Sequence, residues 1–184
     1  MRKLFGTSAV LALLGTAAAA TGLEIEVAGE ANGTVKIDLL EDVAPEHVAR
    51  ITELAEEGAY DGVVFHRVID GFMAQTGDVQ FGKSGGDTAR AGMGGSDKPD
   101  LKAEFSDIAY EAGVVGMARS QSPDSANSQF FIMFDEAPFL NGQYTVVGKV
   151  TEGQDVVDAI KRGTGGNGAV VGTPDVMQKV SVTE

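Results

Sequence analysis

The chain has 184 residues, is 43% apolar and contains no cysteine, which suffices for one well-buried core and excludes disulfides and thiolate metal centres. A net charge of −13 sets its surface against phosphate backbones and anionic headgroups, so nucleic acid and membrane surfaces are disfavoured as partners. His47 and His66 are the two histidines, and the carboxylates show no calcium-loop spacing, so neither a metal nor a cofactor is expected.

Residues 1–20 combine a basic start at Arg2 and Lys3, an apolar run from Leu4 to Leu14 and the small residues Ala18-Ala19-Ala20. That is the layout of an export signal cleaved before Thr21. The run is shorter than the ~20 apolar residues that cross a bilayer, and no cysteine is available for a lipid anchor. Cleavage would remove two positive charges and leave residues 21–184 at −15. A single soluble domain in the periplasm is expected, with secretion the alternative.

Leu23-Glu24-Ile25-Glu26-Val27 and Val35-Lys36-Ile37-Asp38-Leu39 alternate apolar and charged residues around Asn32-Gly33, which predicts a β-hairpin with a tight turn. Pro45 followed by Val48, Ile51, Leu54 and Ala55 at helical spacing predicts a helix over 45–57, with Glu46, Arg50, Glu53 and Glu57 on its wet side. Short β-type runs then follow between glycine-rich turns, at Val63–Val68, Met73–Thr76, Val114–Met117, Gln129–Met133 and Val146–Val150. A second helix is expected over 154–162 and a last strand over 176–182. Residues 82–100 and 163–172 are rich in glycine and lack periodicity, so both should be irregular loops. The resulting fold class is mainly β.

Two segments carry the functional reading. Phe65-His66-Arg67-Val68-Ile69-Asp70-Gly71-Phe72-Met73-Ala74-Gln75-Thr76-Gly77-Asp78, followed by Ser128-Gln129-Phe130-Phe131-Ile132, resembles the active-site signature of the cyclophilins, the peptidyl-prolyl cis-trans isomerases. Gly113-Val114-Val115-Gly116-Met117-Ala118, Phe139-Leu140-Asn141-Gly142 and Val146-Val147-Gly148-Lys149-Val150 extend the resemblance, in order and spacing, from about Leu23 to the C-terminus. It implies a closed antiparallel eight-stranded barrel capped by two α-helices, usually a monomer, acting on proline-containing polypeptides. It also implies Arg67 as the catalytic residue and Phe72, Met73, Phe131 and Leu140 as the proline pocket. Gln75 would contact the substrate backbone, and Ala118, Arg119 and Gln129 the residues preceding proline.

The chemistry of that reaction suits these residue types. Amide resonance sets a barrier of ~18–20 kcal/mol to X-Pro rotation, and no bond need be broken. A catalyst must stabilise the twisted amide, whose prolyl nitrogen becomes a better acceptor, and grip the ring in an apolar pocket. Arg67 is costly to bury on an apolar strand unless it is paired or faces a cleft. Phe72, Met73, Phe131 and Leu140, taken singly, suit a core as well as a pocket. His66 is assigned a supporting role, because the reaction transfers no proton.

Where many eukaryotic cyclophilins carry tryptophan and histidine, this chain has Phe139 and Tyr144. Phe139 keeps an aromatic wall without an indole N–H, which weakens the expectation of tight cyclosporin binding more than that of catalysis. Gly77–Ser84 matches a phosphate-loop pattern, and Gly163-x-Gly165-x-x-Gly168 a dinucleotide fingerprint. Neither leads into a helix as such sites require, and both are rejected. The rival from another class is a cyclophilin-fold binding protein that grips proline-containing segments, with turnover incidental.

Overall fold

Alternation in the first two runs produces the hairpin they predict, in a computed structural model that describes residues 21–184. The export signal expected over residues 1–20 lies outside the described residues. Strand β1 (Gly22–Ala28) pairs antiparallel with β2 (Gly33–Leu39), with Leu23 opposite Ile37 and Ile25 opposite Val35. These side chains all face the core. The turn is longer than the expected Asn32-Gly33 pair. It runs through residues 29–32, where the Ala31 N–H reaches the buried Asp175 carboxylate and Asn32 Nδ2 donates to Gly29 O.

Helix α1 (Pro45–Glu56) begins at its proline and buries Val48, Ile51, Leu54 and Ala55 as their spacing predicts. Arg50, expected on the wet side, is instead buried, and its Nη2 donates to Pro99 O at 2.9 Å. The loop that covers it also supplies Glu104, whose carboxylate accepts the backbone N–H groups of Glu46 and His47 and lies 2.6 Å from His47 Nδ1. A residue distant in sequence thus satisfies the first-turn donors that the helix leaves open.

The remaining strands are β3 (Val63–Val64), β4 (Arg67–Ile69), β5 (Met73–Thr76), β6 (Val114–Met117), β7 (Phe130–Met133), β8 (Val146–Glu152) and β9 (Val176–Thr183). They form one antiparallel sheet in the order β3-β9-β1-β2-β8-β6-β7-β5-β4. The end strands β3 and β4 are two residues apart in the chain, so the sheet curls back towards itself. The described ladder has nine strands rather than eight because the expected Val63–Val68 strand divides. β3 pairs with β9, whereas β4 pairs with β5. Between them, the Phe65 N–H turns to Asp175 O and the His66 carbonyl accepts from Val170.

Helix α2 (Gln154–Asp158) is shorter than the expected 154–162. Past Ala159 the Lys161 N–H is taken by Asp175 Oδ2 and the Gly163 N–H by Val68 O, which draws the chain out of helical register. Val157 and Ile160 still pack into the main core. That core lies between the sheet and the helices. A smaller apolar cluster of Met73, Tyr110, Val114, Phe131, Met133, Ala137, Leu140 and Val146 sits at the other side of the sheet and underlies the site.

Candidate active site

Pleating brings the key side chains abreast. In the β4–β5 pair Arg67 stands opposite Gln75, and in the β5–β7 pair Gln75 stands opposite Phe131. Directly opposed residues share a face of the sheet, so the three strands present guanidinium, amide and phenyl ring in a row. Arg67 Nη1 donates to Gln75 Oε1 at 3.0 Å. On β6, Gly116 faces Phe131, and a Cβ there would come within 2.6 Å of the Phe131 ring. Glycine at this register position therefore gives the ring room to lie against the sheet.

Around that row is a cavity of about 400 Å³ lined by Arg67, Phe72, Met73, Gln75, Ala118, Arg119, Phe131, Phe139, Leu140, Gln143 and Tyr144. Phe131 stacks on Tyr110 at 5.7 Å and meets Tyr144 edge-on at 5.9 Å, while Phe72 and Phe139 form a tilted pair at 5.5 Å. Burial raises the Tyr110 phenol far above its ordinary range, so it remains neutral. Phe139 is 67% exposed and forms the outer lip. A cavity of this size that combines aromatic and aliphatic side chains with guanidinium and amide groups suits a small ring held by contact and an attached amide held by hydrogen bonds.

A second cavity of about 400 Å³ adjoins the first, and Gln75, Ala118, Arg119 and Gln129 are among its lining residues. Arg119 lines both. Its Nε and Nη2 donate to Gln143 O, its Nη1 donates to Ser120 O, and its guanidinium lies 4.4 Å from the centre of the Tyr144 ring. Gln75 Nε2 donates to Gln129 Oε1 at 2.9 Å and Gln129 Nε2 to Gly94 O at 2.8 Å, which fixes both amides. Asp78 is fully buried, and its carboxylate accepts from the N–H groups of Gln80, Phe81, Gly92 and Gly94. That carboxylate holds the glycine-rich loop, and with it the Gly94 carbonyl, against the site.

The expected pocket and substrate-contact residues therefore converge around two joined cavities, and His66 stands behind them. Its ring packs against Gly92, where a Cβ would lie 3.0 Å from Nε2. Among the described residues neither ring nitrogen has a hydrogen-bond partner. Burial pushes its pKa down to about 4, opposed by the Asp78 carboxylate and aided by the Arg67 charge. A neutral imidazole at neutral pH fits a supporting role. In the unfolded chain the same group titrates near 6.5, so between these values the unfolded state holds the extra proton. Stability should be full above pH 6.5 and fall by up to about 3 kcal/mol as pH drops from about 6.5 to about 4. Urea unfolding across that range checks this, and His66→Gln should flatten the profile in that window.

Sequence reasoning did not anticipate Asn167. Arg67 Nε donates to its backbone oxygen at 3.0 Å and Arg67 Nη2 to its Oδ1 at 3.2 Å. Arg67 is only partly exposed, and burial lowers its pKa while Tyr144 raises it; a guanidinium nonetheless remains charged at any working pH.

A family model described as cyclophilin type peptidyl-prolyl cis-trans isomerase/CLD matches residues 23–182. The chain is 60% identical over 153 residues to a probable peptidyl-prolyl cis-trans isomerase of Brucella suis, covering 82% of this chain and 78% of that protein. It is 36% identical over 153 residues to peptidyl-prolyl cis-trans isomerase B of Bacillus subtilis, covering 83% of this chain and 93% of the relative. Among solved structures, a cyclophilin from Hirschia baltica superposes with a TM-score of 0.68 at 28% identity, covering 87% of this chain and 73% of that one.

Proposed function

The chain belongs to the cyclophilin-type peptidyl-prolyl cis-trans isomerases, and we propose that Arg67 supplies the charge that stabilises the twisted X-Pro amide while the Phe72–Met73–Phe131–Leu140 box holds the proline ring. The observation that carries this reading is a guanidinium tied on one side to Gln75 and on the other to Asn167, at the wall of a cavity of about 400 Å³ that Phe72, Met73, Phe131 and Leu140 also line. A prolyl ring in that cavity would place its amide beside the guanidinium. As resonance is lost on rotation, the nitrogen lone pair becomes an acceptor, and a donor already in place strengthens its interaction only in the twisted state. That difference lowers the barrier. Gln75 and Gln129, held by each other and by Gly94 O, would keep the flanking backbone still, and the second cavity would receive the residues before proline.

The clients in this reading are exported polypeptides still folding, reached after removal of residues 1–20. Support comes from the charge and apolar layout of that segment. The acidic chain, at −15 once the signal is removed, suits soluble clients rather than membranes or nucleic acid. The test is exchange spectroscopy on a short Ala-Pro peptide with residues 21–184. Interconversion that takes tens of seconds unaided should reach the millisecond range, whereas rates equal to buffer would overturn the enzymatic reading. Recovery of the cell-envelope protein with Thr21 as its first residue checks the export reading, and a chain that still begins at Met1 would overturn it.

A further inference from the structure

We propose that Asn167 is a positioning residue for Arg67, and that the glycine-rich loop around it is built to present it. Three observations meet at this residue. Its oxygen atoms engage two different nitrogens of the guanidinium, Nε through the backbone carbonyl and Nη2 through Oδ1. It is the one non-glycine residue with a positive φ, at 55°, among the described residues. The segment that carries it is pinned to β4 by the Gly163 N–H on Val68 O, the Val170 N–H on the His66 carbonyl, and a bridge between Arg67 and Ala169.

The left-handed conformation costs most residues energy and asparagine comparatively little. Here it turns main-chain and side-chain oxygens of one residue towards the same cation. The pattern Gly163-x-Gly165-x-x-Gly168, which mimics a dinucleotide fingerprint, acquires a different explanation. A Cβ on Gly163 would collide with the Gly168 carbonyl, and one on Gly168, which has a φ of 77°, would collide with the Ile69 side chain. These glycines let the loop close tightly and lie against the strand that carries the arginine.

Arginine has five N–H donors in a rigid fork. Asn167 takes two and Gln75 a third, while Nη1 also lies 3.8 Å from the Met73 sulfur. One N–H of Nη2 remains unengaged and one of Nη1 meets only that sulfur, and Arg67 lines the cavity. Asn167 would therefore select the rotamer in which the free donors meet a bound amide, cutting the cost of orienting them in the twisted state.

The inference rests on Arg67 being the group that stabilises that state, so Arg67→Ala is measured alongside. Asn167→Gly keeps the carbonyl and tolerates the left-handed backbone, removing only Oδ1. It should lower kcat for Ala-Pro exchange by about tenfold and leave KM within about twofold, because the ring pocket is untouched. Asn167→Asp, which retains an Oδ1 acceptor, should recover most of the loss. In an Arg67→Ala background Asn167→Gly should cost nothing further. Wild-type kcat in Asn167→Gly, with Arg67→Ala strongly impaired, would overturn the positioning role alone. So would a further loss in the double variant, or failure of Asn167→Asp to recover activity. Full activity in Arg67→Ala would instead remove the premise.

Discussion

Arg67→Ala should lower kcat/KM for Ala-Pro exchange by about 10²–10³-fold without unfolding the protein. Bringing a tens-of-seconds process to milliseconds is roughly four decades, or about 5.5 kcal/mol. A preorganised donor aimed at developing charge contributes ~3–4 kcal/mol in a site drier than bulk water. The arginine should therefore account for most of the acceleration, and the apolar box for the remainder. On the stability side the change removes hydrogen bonds from Arg67 to Gln75 and Asn167 that are partly exposed to solvent. Its effect on unfolding should stay within about 1 kcal/mol. Arg67→Lys separates charge from geometry: a point charge cannot reproduce the fork that meets Asn167 and Gln75 together, so only part of the activity should return. Exchange spectroscopy and circular dichroism on the three proteins check this, and an alanine variant as fast as wild type would dismiss the electrostatic account.

The second large effect is on stability. Asp78→Ala should cost about 3–5 kcal/mol, because it strands four inward-pointing backbone donors that share one buried carboxylate. Oδ1 accepts from Gln80 and Phe81 at 3.1 and 2.9 Å, and Oδ2 from Gly92 and Gly94 at 2.7 and 2.9 Å. For a domain of this size that corresponds to a fall in Tm of about 10 °C. Asp78→Asn keeps the volume but turns an NH2 group towards N–H donors, so it should recover only a minor share. The damage should reach activity as well, since Gly94 O anchors Gln129, Gln129 anchors Gln75, and Gln75 holds Arg67. Thermal unfolding decides the matter: a melting point unchanged in Asp78→Ala would mean that the loop finds other acceptors.

The contrast between Arg67 and Asn167 marks where sequence reading stops. Arg67, Phe72, Met73, Gln75 and Phe131 sit at fixed spacing in or beside short β-type runs; strand alternation sets Met73 and Gln75 towards one face, and the pairing register adds Arg67 and Phe131 to it. Asn167 lies in a glycine-rich stretch without periodicity, and its role depends on a loop docking on a strand 100 residues earlier in the chain. The available signal was an asparagine before a glycine in a segment dense with glycine, which marks a left-handed position but not its target. Arg50 fails for a related reason. A helical wheel ranks it as solvent-facing, and only the arrival of the loop at Pro99 buries it. The division of Val63–Val68 into two strands is equally hidden, because a β-type run carries no mark of where it changes partners. Asp78 was legible as part of a signature, but the four backbone donors it satisfies belong to tertiary structure.

The division between β3 and β4 gives the sheet two outer strands. An unpaired outer strand is open to capture of an extended polypeptide along its edge. At the β3 end the Val64 N–H is taken by Gly82 O, and Val63 bridges to Lys83. At the β4 end the carbonyls of His66 and Val68 are taken by Val170 and Gly163. Both outer edges are thus occupied by glycine-rich loops of the chain itself. Lateral strand addition is thereby closed off, while the side-chain cleft around Arg67 and Phe131 stays open. The same two loops that shape the wall of the cleft therefore also guard the sheet against edge-to-edge association.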